Sequence, residues 1–424
     1  MPSVADHRLV RALTVLVVAL GVVTAATSAT AVVIAVRDDE PPTTVAVDSR
    51  SSDTTAAPEP GRDLAEQRET AVAPAPSTTA TSIGPVSPST SAAAIAQCTS
   101  LRSLPMRAKL AQLLFVGVSD LGTAKAALSG ASPAGGVLVL GGGSTWFGNG
   151  VLKGLAGSAA VPPVVAADEE GGRVQRIDGI HGSMISAYQM GRLPPMKVRE
   201  IARDRGAKMK NLGFTMDFAP VVDLYDRNNA VINDRAFDAD PQKVIVSGQA
   251  FAAGLQDAGI TPVLKHFPGH GRSTGDSHKQ AVATPSLDEL RKSDLKPFAA
   301  LAGQVPAVMV GHLDVPGLTE PGRPTSVSKA AINGLLRTEM GFNGLVITDD
   351  LSGMKAITDR FTVPAAIVAS ISAGADVAIV ALEAGQSLAP MLNALEAALK
   401  AGRLSMARID EALDHLGQVK PGCR

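Results

Sequence analysis

The sequence of 424 residues has few cysteines, few aromatic side chains and no excess of charge of either sign. Its two cysteines are too few for a disulfide framework or for a zinc site built on cysteine. Aromatic residues make up 3% of the chain, which weakens the case for an open cleft lined with aromatic rings for long sugar polymers. A net charge of −1, from 39 basic and 40 acidic residues, gives no electrostatic footprint for nucleic acid or for an anionic membrane surface.

Apolar residues are plentiful, at 45% of the chain, which excludes a wholly disordered or fibrous protein. One apolar segment stands at the N-terminus, where Arg8 and Arg11 precede an uncharged stretch from Ala12 to Val36. As a helix this stretch would extend about 37 Å at roughly 1.5 Å per residue, enough to cross a bilayer. The positive flank predicts that the N-terminal end stays in the cytoplasm while the rest of the chain is exported.

The same segment has features of both a membrane anchor and a cleaved signal peptide. Ala29-Thr30-Ala31 has the small-x-small form of a cleavage site, whereas the continuation of the apolar run beyond it favours retention as an anchor. Residues 1–40 are therefore predicted to be a signal anchor or signal peptide. The following protein should be extracytoplasmic, either anchored by the N-terminal helix or secreted after cleavage.

Residues 41–97 consist mainly of Ala, Thr, Ser and Pro with scattered charges. Such a segment has too little apolar periodicity to bury a core, and its prolines favour extended conformations. We interpret it as a disordered linker. A spacer that holds the next domain away from the membrane and a tail of no selected length both fit this composition.

Residues 98–424 are numerous enough for one large domain, and short apolar runs bounded by turns predict eight buried strands in it: Leu113–Val118, Gly136–Leu140, Val164–Ala167, Thr215–Ala219, Pro262–Lys265, Ala307–Val310, Leu345–Thr348 and Val377–Ala381. Most runs are continuous, as expected of strands covered on both faces of a parallel sheet. Segments with helical spacing lie between them, such as Leu388–Ala401 and Leu287–Ala302, which Pro297 should kink or divide. The pattern predicts an α/β fold, a (β/α)8 barrel of the TIM type. A doubly wound sheet is the alternative, although no Gly-x-Gly-x-x-Gly follows the first strand.

Polar residues gather at the ends of four of these runs: Asp168, Lys265-His266, His312 and Asp349-Asp350. Barrels of this type carry their chemistry at the carboxyl ends of the strands, so the pattern predicts an active site there. Neighbouring residues on a strand point to opposite faces. We therefore expect only one of Asp349 and Asp350 to face the barrel mouth, as a single nucleophilic carboxylate, while the other bonds to the surrounding structure.

Histidines cluster in the segment after the fifth run, where His266, His270 and His278 lie close together in sequence. His266 and His270 have the i, i+4 spacing of a zinc-binding helix, but an intervening Pro-Gly pair breaks any helix there. Proton transfer or substrate binding is therefore favoured over a metal site. Asp276 precedes His278 by two residues in a Gly-rich loop, and its carboxylate could orient the imidazole and stabilise its protonated form. A structural role in bonding loop backbone is the alternative for His270 and His312.

Four motifs carry a specific family resemblance. Residues 335–352, Leu-Leu-Arg-Thr-Glu-Met-Gly-Phe-Asn-Gly-Leu-Val-Ile-Thr-Asp-Asp-Leu-Ser, resemble the active-site signature of glycoside hydrolase family 3. Three further motifs are similar to those of its single-domain bacterial β-N-acetylglucosaminidases: residues 168–176, Asp234-Arg-Ala-Phe237, and Lys265-His-Phe-Pro-Gly-His-Gly271 followed by Asp276-Ser-His278. The resemblance runs from about Leu104 to Leu413. It implies a (β/α)8 barrel without the second sandwich domain of larger family members.

The resemblance also implies a role for particular residues. It makes Asp349 the nucleophile and His278 the general acid/base, paired with Asp276. It puts five residues on the terminal N-acetylglucosamine: Asp168, Arg176, Arg235, Lys265 and His266. No metal or other cofactor is expected. Glu169 stands where many relatives have Gln, which should not abolish activity, and Gly353 lengthens the turn after the nucleophile relative to many relatives.

The activity implied by the resemblance is that of an exo-acting, retaining β-N-acetylglucosaminidase working through a covalent glycosyl-enzyme. An imidazole, with a reference pKa of about 6.5, can serve both proton transfers near neutral pH. The expected substrates are small GlcNAc-containing carbohydrates, either muropeptides from peptidoglycan or chito-oligosaccharides, and no nucleic acid. A phosphorylase, an inactive exported sugar-binding protein and a metal-dependent hydrolase are the alternatives.

The two cysteines, Cys98 and Cys423, bracket the predicted domain closely. In an oxidising compartment they could form a disulfide that joins its two ends. Two free thiols are equally consistent with the sequence.

Overall fold

The computed structural model describes residues 101–141, 144–148 and 150–421. Each of the eight apolar runs forms a parallel strand, and together these strands close into a single barrel. In chain order the barrel strands are β1 (Leu114–Val118), β2 (Gly136–Val139), β3 (Val164–Ala167), β4 (Met216–Asp217), β5 (Thr261–Phe267), β7 (Ala307–Val310), β9 (Leu345–Asp350) and β10 (Val377–Ala381). Strand β1 pairs with β10 in the register Leu114 to Ala378 and so closes the barrel. The prediction of a (β/α)8 barrel is confirmed.

Helices surround these strands. The described α-helices are Met106–Gln112, Leu121–Leu128, Ser144–Phe147, Val151–Gly157, Asp178–His181, Ala187–Met190, Pro195–Leu212, Pro241–Asp257, Leu287–Lys292, Leu295–Leu301, Lys355–Thr358, Val363–Ala373, Ala389–Lys400 and Met406–Gly417. A π-helix covers Ala330–Glu339, and 3-10 turns cover Asn233–Arg235, Ala302–Gln304 and Thr325–Val327. The segment with Pro297 is divided, as predicted, because this proline lies in the first turn of Leu295–Leu301, where a missing N–H breaks no helical hydrogen bond.

Alternate residues of the barrel strands pack on opposite sides, which explains why the apolar runs are continuous. Leu345 and Ile347 of β9 belong to the smaller cluster of buried side chains, which fills the barrel interior with Phe115 and Met309. Val346, between them, belongs to the larger cluster, which includes the surrounding helices. Both faces of each strand are therefore removed from water.

A small sheet beside the barrel was not predicted, because its two strands are too short to show any periodicity. It pairs β6 (Val282–Ala283) with β8 (Leu313–Asp314) in parallel. Strand β6 follows the Gly-rich loop after β5, so this pairing fixes the end of that loop against the segment that leaves β7.

Several predictions concern parts of the chain outside the described residues. These are the signal segment at residues 1–40, the linker at residues 41–97, and the cysteines Cys98 and Cys423. Within the described ranges, the helices are all too short or too polar to cross a bilayer.

The amino end of the barrel is held together by a buried carboxylate, Asp376, which directly precedes β10. Its oxygens accept hydrogen bonds from Arg337 Nη2 at 2.6 Å, from the Val346 backbone N–H at 2.8 Å and from Arg408. His415 Nδ1 lies 3.0 Å from the same carboxylate. Burial alone would raise the pKa of Asp376, but the hydrogen bond from His415 and the charges of both arginines outweigh it and hold that pKa below its ordinary value.

We expect Asp376→Asn to lower the free energy of unfolding by about 3–5 kcal/mol at neutral pH, because it leaves two largely buried guanidinium groups without their carboxylate. The folded-state pKa of Asp376 is depressed, so its stabilising contribution is complete above the unfolded pKa and is lost as the pH falls through the folded value. Urea denaturation at neutral pH and near pH 3 measures both effects. As a control, Asp257→Asn breaks only the exposed pair with Arg199 and should cost much less. Equal losses in the two variants would contradict this account.

Candidate active site

A cavity of about 810 Å³ lies at the carboxyl ends of the barrel strands. All eight residues proposed from the sequence line it: Asp168, Arg176, Arg235, Lys265, His266, Asp276, His278 and Asp349. They come from the ends of β3, β5 and β9 and from three loops, so the barrel brings together residues that are far apart in sequence. This is the end of the barrel at which such folds carry their chemistry.

A buried network of charges forms one wall of this cavity. Lys265 Nζ lies 2.6 Å from Asp168 Oδ1 and 2.6 Å from Glu170 Oε1. Arg235 forms a bidentate pair with Glu170, at 2.7 and 2.8 Å, and Arg176 Nη2 is 3.7 Å from Asp168 Oδ2. Closely spaced cationic donors and carboxylate acceptors of this kind can bind several hydroxyl groups of one sugar ring.

Charge pairing in this wall overcomes the cost of burial. Burial would raise the pKa of Glu170, but the charges of Arg235 and Lys265 outweigh it and hold that pKa far below its ordinary value. For Lys265, burial would lower the pKa, but the charges of Asp168 and Glu170 outweigh it and raise that pKa. Glu170 and Lys265 are therefore both ionised at neutral pH. Sequence reasoning did not single out Glu170, since its role depends on Arg235, a partner remote in sequence.

Two glycines allow the segment after β3 to turn back toward the cavity. Gly171 and Gly172 have φ angles of 89° and 57°, and a Cβ at Gly171 would lie 2.3 Å from the backbone oxygen of Ile185. Glu169 is buried and is not among the residues that line the cavity. Its Oε2 accepts hydrogen bonds from the backbone N–H groups of Arg176, at 2.6 Å, and Ile177, at 3.2 Å. A Gln side chain could accept the same bonds through its amide oxygen, so we expect this position to support the loop.

His266 is held by a second residue that sequence reasoning missed, Asp223. His266 Nδ1 lies 2.7 Å from Asp223 Oδ2, and the backbone N–H groups of His266 and His270 donate to the same carboxylate. The hydrogen-bond pattern assigns a proton to Nδ1, and His266 Nε2 lies 3.4 Å from Arg235 Nη2. Asp223 ends an apolar stretch that follows β4, which is the signal by which it could have been found.

We expect Asp223→Asn to lower kcat/KM by about 10- to 100-fold, because an amide oxygen replaces a charged acceptor of three N–H groups and an ionic bond of this kind contributes about 1.5–3 kcal/mol. The matched control is Asp226→Asn. Asp226 also lines the cavity, but its carboxylate accepts a hydrogen bond from the Asn228 backbone N–H alone among the contacts described. Steady-state kinetics of both variants test the assignment, and equal effects would contradict it.

The neighbouring carboxylates Asp349 and Asp350 at the end of β9 divide as predicted. Asp349 lines the cavity, and its Oδ1 accepts the Asp350 backbone N–H at 2.9 Å. Asp350 instead accepts hydrogen bonds from Ser352 Oγ at 2.5 Å, from the Gly353 N–H at 3.0 Å and from the Ala381 N–H at 3.3 Å. Gly353 thus packs against Asp350, where a Cβ would lie 2.8 Å from Asp350 Oδ2.

Asp349 is half-buried, and its surroundings favour the charged form. Burial would raise its pKa, but the electrostatic influence of His266 and His312 and the hydrogen bond from the Asp350 N–H outweigh this effect, and the pKa lies below its ordinary value. An ionised carboxylate that lines a cavity in this way can act as a nucleophile or can stabilise developing positive charge.

Asp276 and His278 form a hydrogen-bonded pair on the loop between β5 and β6. His278 Nδ1 lies 2.8 Å from Asp276 Oδ1, which leaves Nε2 available for proton transfer. The side chain of His278 is 58% exposed. Two backbone contacts, Ala356 N–H to Ser277 O at 3.0 Å and Lys355 N–H to His278 O at 3.5 Å, attach this loop to the segment that follows β9. The loop that carries His278 is therefore attached to the segment that directly follows Asp349 and β9.

The other two histidines fit the structural alternative. His270 lines the cavity, but its ring nitrogens contact Ser273 Oγ at 2.8 Å and Ser277 Oγ at 3.2 Å, and burial lowers its pKa to about 4. His312 is buried between Ser326 Oγ and the Asp350 carbonyl. Across the described residues, no cluster of three or more His, Cys, Asp or Glu side chains is arranged to hold a metal ion.

Comparison with known proteins places this cavity in a family context. Residues 106–419 match the family described as the glycosyl hydrolase family 3 N terminal domain. The chain is 46% identical over 336 residues to the β-hexosaminidase LpqI of Mycobacterium tuberculosis, an alignment that covers 76% of this chain and 84% of that protein.

Solved structures give the same result. A glycosyl hydrolase of the GH3 family from Mycobacterium smegmatis is 46% identical, with a TM-score of 0.72, and the match covers 76% of this chain and 98% of that one. A glycoside hydrolase family 3 β-N-acetylglucosaminidase from Paenibacillus is 31% identical, with a TM-score of 0.70, over 76% of this chain and 63% of that one.

Proposed function

The chain belongs to glycoside hydrolase family 3 and is a β-N-acetylhexosaminidase, and from this premise we propose that it releases terminal β-linked N-acetylglucosamine with retention of configuration. The observation that carries the proposal is the composition of the cavity at the carboxyl ends of the strands. It combines a half-buried carboxylate with a lowered pKa, a histidine–aspartate pair and a wall of charged hydrogen-bonding groups. These are the three components that a double-displacement glycosidase needs.

The charged wall binds the terminal sugar. Lys265 and Arg235 are its main donors, and Asp168 supplies acceptor oxygens. Arg176 and His266 line the cavity beside them. A pyranose ring presents hydroxyls that both donate and accept, so alternating cations and carboxylates satisfy it in one orientation. Because the pairs already exist in the free protein, little reorganisation is needed on binding, and the sugar is held with its anomeric carbon toward Asp349.

Asp349 attacks the anomeric carbon and forms a covalent glycosyl-enzyme, while the bond to the leaving oxygen breaks. His278 donates a proton from Nε2 to that oxygen in the first step. In the second step it takes a proton from the water that attacks the glycosyl-enzyme, which restores both residues. Asp276 orients the ring through Nδ1 and stabilises the imidazolium. Burial would raise the pKa of Asp276, but the hydrogen bonds from His278 and Lys279 outweigh it and keep that pKa below its ordinary value.

The substrate class and location follow from the family and the N-terminal sequence. The β-hexosaminidase relatives support a GlcNAc-containing carbohydrate. The uncharged segment after Arg11 supports export, with residues 1–40 acting as anchor or signal and residues 41–97 as a linker. An exported enzyme meets cell-wall material, so peptidoglycan fragments with a terminal GlcNAc are the proposed substrates, and chito-oligosaccharides are the second possibility.

Turnover of 4-nitrophenyl N-acetyl-β-D-glucosaminide, with and without phosphate, tests this function. We expect release of free GlcNAc that is insensitive to phosphate and to a chelator. Formation of sugar 1-phosphate would reassign the enzyme as a phosphorylase, and loss of activity with a chelator would indicate a metal-dependent hydrolase. A folded protein that binds GlcNAc but releases none would instead be a sugar-binding protein.

A further inference from the structure

The cations that line the cavity differ widely in exposure. Their side chains are 1% (Lys265), 12% (Arg235), 23% (Arg176), 46% (Arg173) and 80% (Lys279) exposed. The three more buried ones, Lys265, Arg235 and Arg176, form ion pairs within the charged wall. Arg173, on the rim, donates to Asp234 and to the carbonyls of Ala230 and Val231.

Lys279 is bound more loosely. Its Nζ lies 3.3 Å from Asp276 Oδ2, while the other oxygen of that carboxylate contacts His278 Nδ1. Such a pair contributes little to stability, because the ammonium group of Lys279 stays solvated. The ammonium group of Lys279 can therefore be shared with a third charged group at little cost.

Its position indicates which part of a substrate Lys279 would meet. It directly follows His278, and in the proposed function, on which this step rests, His278 protonates the oxygen of the departing group. The cations that bind the terminal sugar lie at the buried wall instead. Lys279 thus stands beside the leaving group, at the solvent side of the scissile bond.

We propose that Lys279 recognises a carboxylate on the leaving group, close to the scissile bond, and so favours anionic aglycones over neutral ones. A muramic acid residue without a stem peptide has this chemistry through its lactyl group, whereas a second N-acetylglucosamine, or a muramic acid residue whose lactyl group is amide-linked to a peptide, lacks it. The interaction is electrostatic and exposed. It should raise kcat/KM by about fivefold, which is the ratio that about 1 kcal/mol provides, and it should weaken as salt is added.

The experiment compares GlcNAc-β-1,4-MurNAc with the methyl ester of its lactyl group, two substrates that differ only in that charge. In the parent enzyme the acid should be cleaved about fivefold faster than the ester. In Lys279→Gln the ratio of acid to ester cleavage should fall to about one, and in Lys279→Glu it should drop below one. Lys279→Arg keeps the positive charge and should keep the ratio of the parent enzyme. Any effect of the substitution on Asp276 acts on both substrates and cancels in the ratio.

Lys355→Gln is the matched control, since Lys355 is exposed and touches the same loop through its backbone but does not line the cavity. Its ratio should equal that of the parent. A parent-like ratio in both Lys279→Gln and Lys279→Glu overturns the inference. So does cleavage of the chromogenic glycoside with no cleavage of either disaccharide, which leaves the proposed function intact. If GlcNAc is released from none of the three substrates, the proposed function is overturned, and this inference with it.

Discussion

Asp349→Asn should lower kcat by about 10⁴- to 10⁵-fold, the largest effect expected of any single substitution in this protein. The amide cannot form the glycosyl-enzyme and cannot stabilise positive charge at the anomeric carbon. The charged wall stays intact, so the variant should still bind N-acetylglucosamine. Single-turnover kinetics and calorimetric titration with the free sugar separate these two predictions.

The neighbouring residue provides the control. Asp350→Asn removes the same charge from the same strand, but Asp350 bonds to Ser352, Gly353 and Ala381 outside the cavity. We expect it to lower the melting temperature and to reduce kcat by no more than about tenfold. If Asp350→Asn abolished turnover while Asp349→Asn remained active, the assignment of the two carboxylates would be reversed.

His278→Ala should show the second largest effect, and the size of that effect should depend on the leaving group. With a disaccharide, whose leaving alcohol needs a proton, kcat/KM should fall by about 10²- to 10⁴-fold. With a 4-nitrophenyl glycoside the loss should be much smaller, because the phenolate leaves without protonation. A series of aryl glycosides of increasing leaving-group pKa measures this dependence directly.

Asp276→Asn extends this test. It leaves the imidazole in place but removes the carboxylate 2.8 Å from Nδ1, so its losses should be smaller and should depend on the leaving group in the same way. A structural role for the loop would reduce activity toward all leaving groups equally. That result would contradict the acid/base assignment.

The barrel could be predicted because its strands are buried on both faces. Each strand therefore appears as an uninterrupted apolar run, and the polar residues at its end mark the active face. Strand β5 illustrates the limit of this reading, since it continues through Lys265 and His266 to Phe267. The predicted strand ended at Lys265 because the residues there are polar. In the structure the ion pairs of Lys265 compensate its burial, so the strand continues into the site.

The supporting residues could not be found in the same way. Asp223 and Glu170 act through His266, Arg235 and Lys265, which lie far away in sequence and meet them only once the barrel has closed. Glu170 has no local pattern that separates it from a surface residue, and the one local signal for Asp223 is the apolar stretch that it ends. The eight residues proposed for the site do meet in one cavity, while their individual roles rest on the experiments described above.

The most direct test of the central claim is covalent trapping with a 5-fluoro derivative of N-acetylglucosaminyl fluoride, followed by mass spectrometry of the intact protein and its peptides. The ring fluorine slows both the formation and the breakdown of the glycosyl-enzyme, while the good leaving group at the anomeric carbon speeds only its formation, so the intermediate accumulates. The account predicts one added sugar per chain, attached to Asp349. Attachment of the sugar to any other residue would contradict the assignment of Asp349. So would turnover of the reagent without labelling of the protein, which is the behaviour expected if the substrate's own acetamido group is the nucleophile.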